Sequence, residues 1–112
     1  CVDSIPSSAN QEDFVSMGTT AARKAGTILE NTLSVLAYEL LTACQAIDIR
    51  RQEGSYGQGL SPLGEALFSY VRQKVPFMDI DREIWPDIQA VEAIVRGGEL
   101  LRLAQELVPD FC

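Results

Sequence analysis

The polar chemistry of this chain is densest near its N-terminus. There Ser8, Asn10, Gln11, Glu12 and Asp13 place five hydrogen-bonding or charged side chains in six positions, immediately ahead of a long apolar run. Ser8 with Gln11 three residues on forms an S-x-x-Q capping box. Two acidic residues in a first helical turn also complement the helix dipole, by ~0.3–1 kcal/mol each. Capping does not use every group in the run. Two readings stand: a dipole-complementing helix start, or a fan of Asn10, Gln11 and Glu12 around a helix tip with at least one side chain facing a cleft. A helix start holds such groups more rigidly than a loop does.

Other chemistries are poorly served. The chain has no His, which removes Glu-x-x-His di-metal sites, Cys/His zinc sets and His-assisted Ser or Cys nucleophiles. We therefore expect no metal. Cys1, Cys44 and Cys112 are an odd number at no metal-like spacing. Cys44 falls in an apolar helical run and is expected to be a small buried hydrophobe. The pattern suits a reducing cytoplasm better than a disulfide scaffold. A net charge of −7 argues against a nucleic-acid partner. The glycine-rich segment 52–62 fits neither the P-loop nor the dinucleotide fingerprint and is expected to be a connector. The run from Leu33 to Ile49 is interrupted by Glu39 and Asp48, which makes it a poor membrane span. Trp85 is expected to be a packing anchor, and Glu39 to be paired or at an interface, because an unpaired buried carboxylate is costly.

The elements that must position these groups are helical. Pro6 disfavours helix at Ile5. From about Ala9 to about Ile49 there is no proline, and Phe14, Met17, Ala21, Ala25, Ile28, Leu29, Leu33, Leu36, Leu40, Cys44 and Ile47 recur at steps of three and four. This predicts one long helix over about 9–49. Val35, Ala37, Tyr38, Leu41, Ala43 and Ala46 widen the stripe until the helix is apolar nearly all round. Roughly 40 residues at about 1.5 Å each make a rod of about 60 Å. A compact domain of about 100 residues has a radius of gyration of only about 13 Å. The rest of the chain cannot sheathe such a rod, so we expect it to pack against polypeptide outside these residues.

Three or four shorter helices should follow. Ser61-Pro62 opens one, with Leu63, Leu67, Tyr70 and Val71 on a face, and Val75-Pro76 ends it. Asp79–Glu83 could form one turn. Trp85-Pro86 starts another that runs to about Arg96, with Ile88, Val91, Ile94 and Val95 inward, broken by Gly97-Gly98. Glu99 to Val108 forms the last, with Leu100, Leu103 and Leu107 as its face. No alternating strand pattern or internal repeat occurs. The expected class is all-α, with residues 1–112 a single helical region.

Certain residues carry a family resemblance. Asp3-Ser4-Ile5-Pro6-Ser7-Ser8-Ala9-Asn10-Gln11-Glu12-Asp13, with Val15-Ser16-Met17-Gly18 and Ala21-Ala22-Arg23, closely resembles the histidine ammonia-lyases of the aromatic amino-acid lyase superfamily. So do Glu30-Asn31-Thr32, Val35-Leu36-Ala37, Glu39-Leu40-Leu41 and Ala43-Cys44-Gln45-Ala46-Ile47-Asp48-Ile49-Arg50. The match is dense from about residue 2 to residue 50 and looser after residue 60, where Pro86-Asp87-Ile88 is the best local echo. The chain resembles the C-terminal fifth of such an enzyme, part of a larger helical-bundle lyase.

The resemblance implies homotetramers with central helix bundles, whose active sites draw on several subunits; the cysteine pattern suggests the cytoplasm as their location. It implies removal of ammonia from L-histidine to give urocanate, with a tyrosine base and a methylidene-imidazolone electrophile formed from Ala-Ser-Gly. This chain contains no Ala-Ser-Gly, so it supplies no such cofactor and is expected to be inactive alone. The partners implied are the remainder of the enzyme, other subunits and a small amino-acid substrate, with no nucleic acid and no membrane. Glu12 corresponds to the pocket Glu of the family's Gln-Glu-Asp triplet, with Asn10 and Gln11 as supporting residues that orient it. A carboxylate there can accept a charge-assisted hydrogen bond from an imidazole N–H, for which a phenyl ring has no donor. Phe14 departs from the family, where His often follows Gln-Glu-Asp. The alternatives are a lyase homologue acting on another aromatic amino acid, or a non-catalytic helical oligomerisation module.

Overall fold

A computed structural model describes residues 17–55, 57 and 59–110. The protein is all-α: four helices run α1 (Gly18–Gln52), α2 (Pro62–Lys74), α3 (Trp85–Gly97) and α4 (Glu99–Leu107), with no strand among the described residues. The chain divides into two compact units, Cys1–Thr32 and Leu33–Cys112.

In the first unit the described residues are Met17 and the opening turns of α1. Met17 is not helical; its carbonyl accepts the first helical hydrogen bond, from the Ala21 amide at 2.8 Å. The helix therefore opens at Gly18 and not through 17 from about Ala9 as the apolar period predicted. Gly18-Thr19-Thr20 is a run of weak helix formers, where propagation from Met17 gains least. Residues before 17, including the expected start, lie outside the described residues. The hydroxyls of Thr27 and Thr32 donate to the carbonyls of Arg23 and Ile28, one turn back, and so need no outside partner. Ile28 and Leu29 are exposed.

The second unit holds the core. Ala37, Leu41 and Cys44 of α1 meet Val71 and Val75 at the end of α2 and Ile88 and Val91 of α3, with Leu40, Phe68, Ala90, Val95 and Leu100 packed around them. Each fully buried Val or Ile contributes about 1.5–3 kcal/mol of transfer free energy. Cys44 is a buried hydrophobe, as its place in the stripe predicted. Arg50 and Arg51 complement the dipole at the end of α1. There Gly54 (φ 68°) takes the left-handed position of a Schellman closure. Its N–H donates to the Arg51 carbonyl, and that of Ser55 donates to the Arg50 carbonyl.

The later helices start where their caps predicted. The Ser61 hydroxyl accepts from the Gly64 amide at 3.1 Å, with Pro62 at the first helical position. Lys74 is the last residue of α2, ahead of Pro76. Gly98 (φ 65°) ends α3 and opens α4, a left-handed joint that L-residues with a side chain adopt at a cost. Three expectations need correction. Asp79–Glu83 is irregular, held by side-chain contacts described below. Trp85 is 52% exposed and Leu107 is 51% exposed, because each lies at a helix end while burial centres on Ile88, Val91 and Ala104. Glu39, expected to be paired or at an interface, has an exposed position on α1 that fits the second of these.

By length and composition alone α1 could cross a bilayer. Its C-terminal half is instead engaged with α2 and α3 through Ala37, Leu41 and Cys44, the arrangement of a bundle helix.

Candidate functional site

Asn10, Gln11 and Glu12 lie outside the described residues, as does Phe14, so the structure does not place this predicted site. The described residues show what surrounds the downstream part of α1. Its last three turns carry Gln45, Asp48 and Arg51 one turn apart, and each reaches a different anchor. Gln45 clasps the backbone of Met78: its Nε2 donates to the Met78 carbonyl at 2.7 Å and its Oε1 accepts from the Met78 amide at 3.2 Å. Asp48 Oδ2 accepts from Arg72 Nε at 2.7 Å. Arg51 pairs with Glu65 at 2.6 Å and lies 4.5 Å above the Phe68 ring.

Arg72 is the hub of this network. Its Nη1 donates to the carbonyls of Val75 and Pro76, both at 3.2 Å, and its Nη2 donates to Gln45 Oε1 at 3.3 Å. One guanidinium thus ties α1 to the end of α2 and to the strand of loop that follows. Only a planar fork with five donors can serve all four partners. Arg82, farther along the same loop, pairs with Asp87 of α3 at 2.6 Å and reaches the Pro76 carbonyl at 3.5 Å. The irregular segment 76–84 is therefore pinned at both ends.

Between α1 and this segment lies an apolar groove of about 290 Å³, lined by Leu41, Ala46, Ile49, Pro76, Met78 and Ile84 with Thr42, Gln45 and Asp87. A second, polar cleft of about 270 Å³ lies by Tyr70, Glu99, Arg102 and Glu106. There the Tyr70 hydroxyl donates to Glu99 Oε2, and this bond pushes the phenol above its ordinary range. Burial pushes the Cys44 thiol up, opposed by Arg72 and reinforced by Asp48. Both groups stay protonated at neutral pH, so neither is poised as a base or nucleophile. No cluster of three His, Cys, Asp or Glu able to hold a metal occurs among the described residues. Among the described residues every buried side-chain nitrogen and oxygen has a hydrogen-bond partner.

Sequence reasoning missed Gln45, Arg72 and the Arg82–Asp87 pair. The one available signal was Asp48, a carboxylate inside an apolar run, which needs a cation. Its partner lies 24 residues away and follows no local pattern.

The aromatic amino acid lyase family matches residues 1–73. The histidine ammonia-lyase of Natranaerobius thermophilus is 53% identical over 110 residues, 98% of this chain and 21% of that protein. The tyrosine ammonia-lyase of Cupriavidus metallidurans is 43% identical over 104 residues, 93% of this chain and 19% of that protein. Among solved structures, the histidine ammonia-lyase of Trypanosoma cruzi superposes with a TM-score of 0.80 at 40% identity, covering 96% of this chain and 20% of that one. The chain thus spans about a fifth of the length of the relatives it matches. With this family match over residues 1–73, and relatives of such identity along nearly its whole length, the chain belongs to the aromatic amino acid lyase family.

Proposed function

We propose that these residues form the C-terminal part of a carbon–nitrogen lyase that removes ammonia from L-histidine to give urocanate. The observation that carries this reading is the pair of histidine ammonia-lyases 53% and 48% identical over 98% of the chain, together with the Gln11-Glu12-Asp13 triplet. In this reading Glu12 accepts a hydrogen bond from the substrate imidazole N–H and fixes the ring's orientation. Gln11 and Asn10 orient the Glu12 carboxylate. The helical unit built on Arg72, Gln45 and Asp48 holds the C-terminal half of the long helix in place.

The family's methylidene-imidazolone group supplies the electrophile. This chain has no Ala-Ser-Gly from which to form it, so the group comes from the rest of the enzyme and the 112 residues alone are inactive. The exposed apolar side chains of α1, among them Ile28, Leu29, Val35, Leu36 and Tyr38, support burial against other parts of the enzyme in a homotetramer. A free, buried Cys44 fits a cytoplasmic location.

A second reading has a specific observation behind it. The 43% identical relative is a tyrosine ammonia-lyase, and Phe14 replaces a polar residue that histidine lyases often carry. The test is an absorbance assay of the full-length protein on histidine and on tyrosine. Urocanate formation supports the first reading; coumarate formation without urocanate overturns it in favour of the second.

A further inference from the structure

The groove between α1 and segment 76–84 is not explained by the lyase reading. Its walls are apolar: Leu41, Ala46, Ile49, Pro76, Met78 and Ile84. Its three polar lining residues are already satisfied within the chain. Thr42 donates to the Tyr38 carbonyl at 2.7 Å, Gln45 is spent on Met78 and Arg72, and Asp87 is spent on Arg82. Each polar lining residue is thus already tied to the chain's own groups, and most of the groove wall has nothing with which to orient a small polar molecule. The groove does offer apolar surface continuous with the core, because Leu41 belongs to both. Exposed Ile49 and Ile84 extend that surface outward.

The exposed charges around the groove are mostly negative, with Arg50 beside Ile49 the exception. Glu39 lies on α1 at helical spacing from Thr42, Ala46 and Ile49; Asp79 adjoins Met78, and Glu83 adjoins Ile84, with Asp81 between them. All four carboxylates are exposed, and none has an ion-pair partner among the described residues. Nearby Arg72 and Arg82 are already committed to Asp48 and Asp87. An apolar trough beside unpaired carboxylates is complementary to apolar side chains flanked by Lys or Arg. About four-fifths of a protein of the relatives' length lies outside these residues.

We infer that the groove seats an apolar segment flanked by basic residues, supplied by the part of the full-length enzyme outside these 112 residues. This rests on the chain being one part of a longer lyase, but not on which amino acid that lyase consumes.

The experiment places the photo-crosslinker p-benzoylphenylalanine at Ala46, and separately at Ile84, in the full-length protein. Irradiation, digestion and mass spectrometry then identify the trapped peptide. Both positions are exposed, and circular dichroism with sedimentation selects the variant that retains native folding and size. The expected result is one common peptide from outside residues 1–112, with apolar residues bordered by Lys or Arg. Combining Asp79→Asn, Asp81→Asn and Glu83→Gln should lower the adduct yield about threefold at low ionic strength, with the difference shrinking in salt. Adducts only to peptides within residues 1–112, or none above the dark control, overturn the inference. An unchanged yield in the triple variant overturns the basic flanks. Urocanate assays on the same samples are read separately, so an adduct without activity on histidine leaves the docking intact and removes the proposed substrate.

Discussion

Replacing Arg72 by methionine removes the guanidinium that joins three segments while keeping most of its apolar stem. The side chains of Arg72 and Asp48 are only 12% and 21% exposed. Breaking a fully buried ion pair costs about 3–5 kcal/mol, because one charge is left stranded. Water still reaches part of Asp48, which reduces this to about 2 kcal/mol. The carbonyls of Val75 and Pro76 and the Gln45 amide also lose a charged donor, adding up to about 1 kcal/mol where water cannot replace it. The expected loss is therefore about 2–3 kcal/mol. With a urea m-value of about 1 kcal/mol/M for a chain of this size, the midpoint falls by about 2–3 M. Arg72→Lys keeps the charge beside Asp48 but not the fork, and should lose about half as much. Adding Asp48→Leu to Arg72→Met removes the stranded carboxylate and should recover about 1 kcal/mol. Urea titration followed by far-UV circular dichroism measures all four proteins. A loss below about 0.5 kcal/mol for Arg72→Met, the value of an exposed pair, would refute the hub.

Three further predictions follow from the same structure. Within α3, Ile88→Ala should cost about 2–5 kcal/mol, while Trp85→Ala, at a position 52% exposed, should cost under about 1 kcal/mol in the same titration. Gly98→Ala forces a side chain into the left-handed joint at φ 65° and should cost about 1–2 kcal/mol, read as a lower thermal midpoint. Burial raises the Cys44 thiol above its ordinary value, so its contribution is fully present below about pH 8.5 and is lost as pH rises through the folded value. Thermal midpoints should fall as pH rises above about 8.5, less steeply in Cys44→Ala, and the thiol should resist a thiol reagent at about pH 8 until urea unfolds the chain.

Local chemistry made much of the fold legible. Ser61-Pro62, Pro76, Trp85-Pro86 and Gly97-Gly98 act through bonds and sterics within a few residues, so α2, α3 and α4 fall close to where they were expected. The inward face of α3 followed from the spacing of Ile88, Val91 and Ile94. Periodicity gives the phase of a face but not how far along the axis its neighbours extend, which is why Trp85 and Leu107 were misplaced. It also undervalues small residues: Ala37 and Ala104 are buried because helices approach closely there. The Gln45–Met78 and Asp48–Arg72 contacts join residues 33 and 24 positions apart, and no local pattern encodes such pairs. The candidate site at Asn10, Gln11 and Glu12, outside the described residues, rests on family resemblance, because side-chain type alone cannot separate a capped helix start from a pocket wall.

The central claim is that Glu12 recognises the imidazole of a histidine substrate. The most direct measurement is kcat/KM of the full-length protein for histidine before and after Glu12→Gln. The account predicts a fall of more than about tenfold, beyond about 1.4 kcal/mol of transition-state stabilisation, with the circular dichroism spectrum unchanged. An unaltered kcat/KM in a folded variant would contradict it.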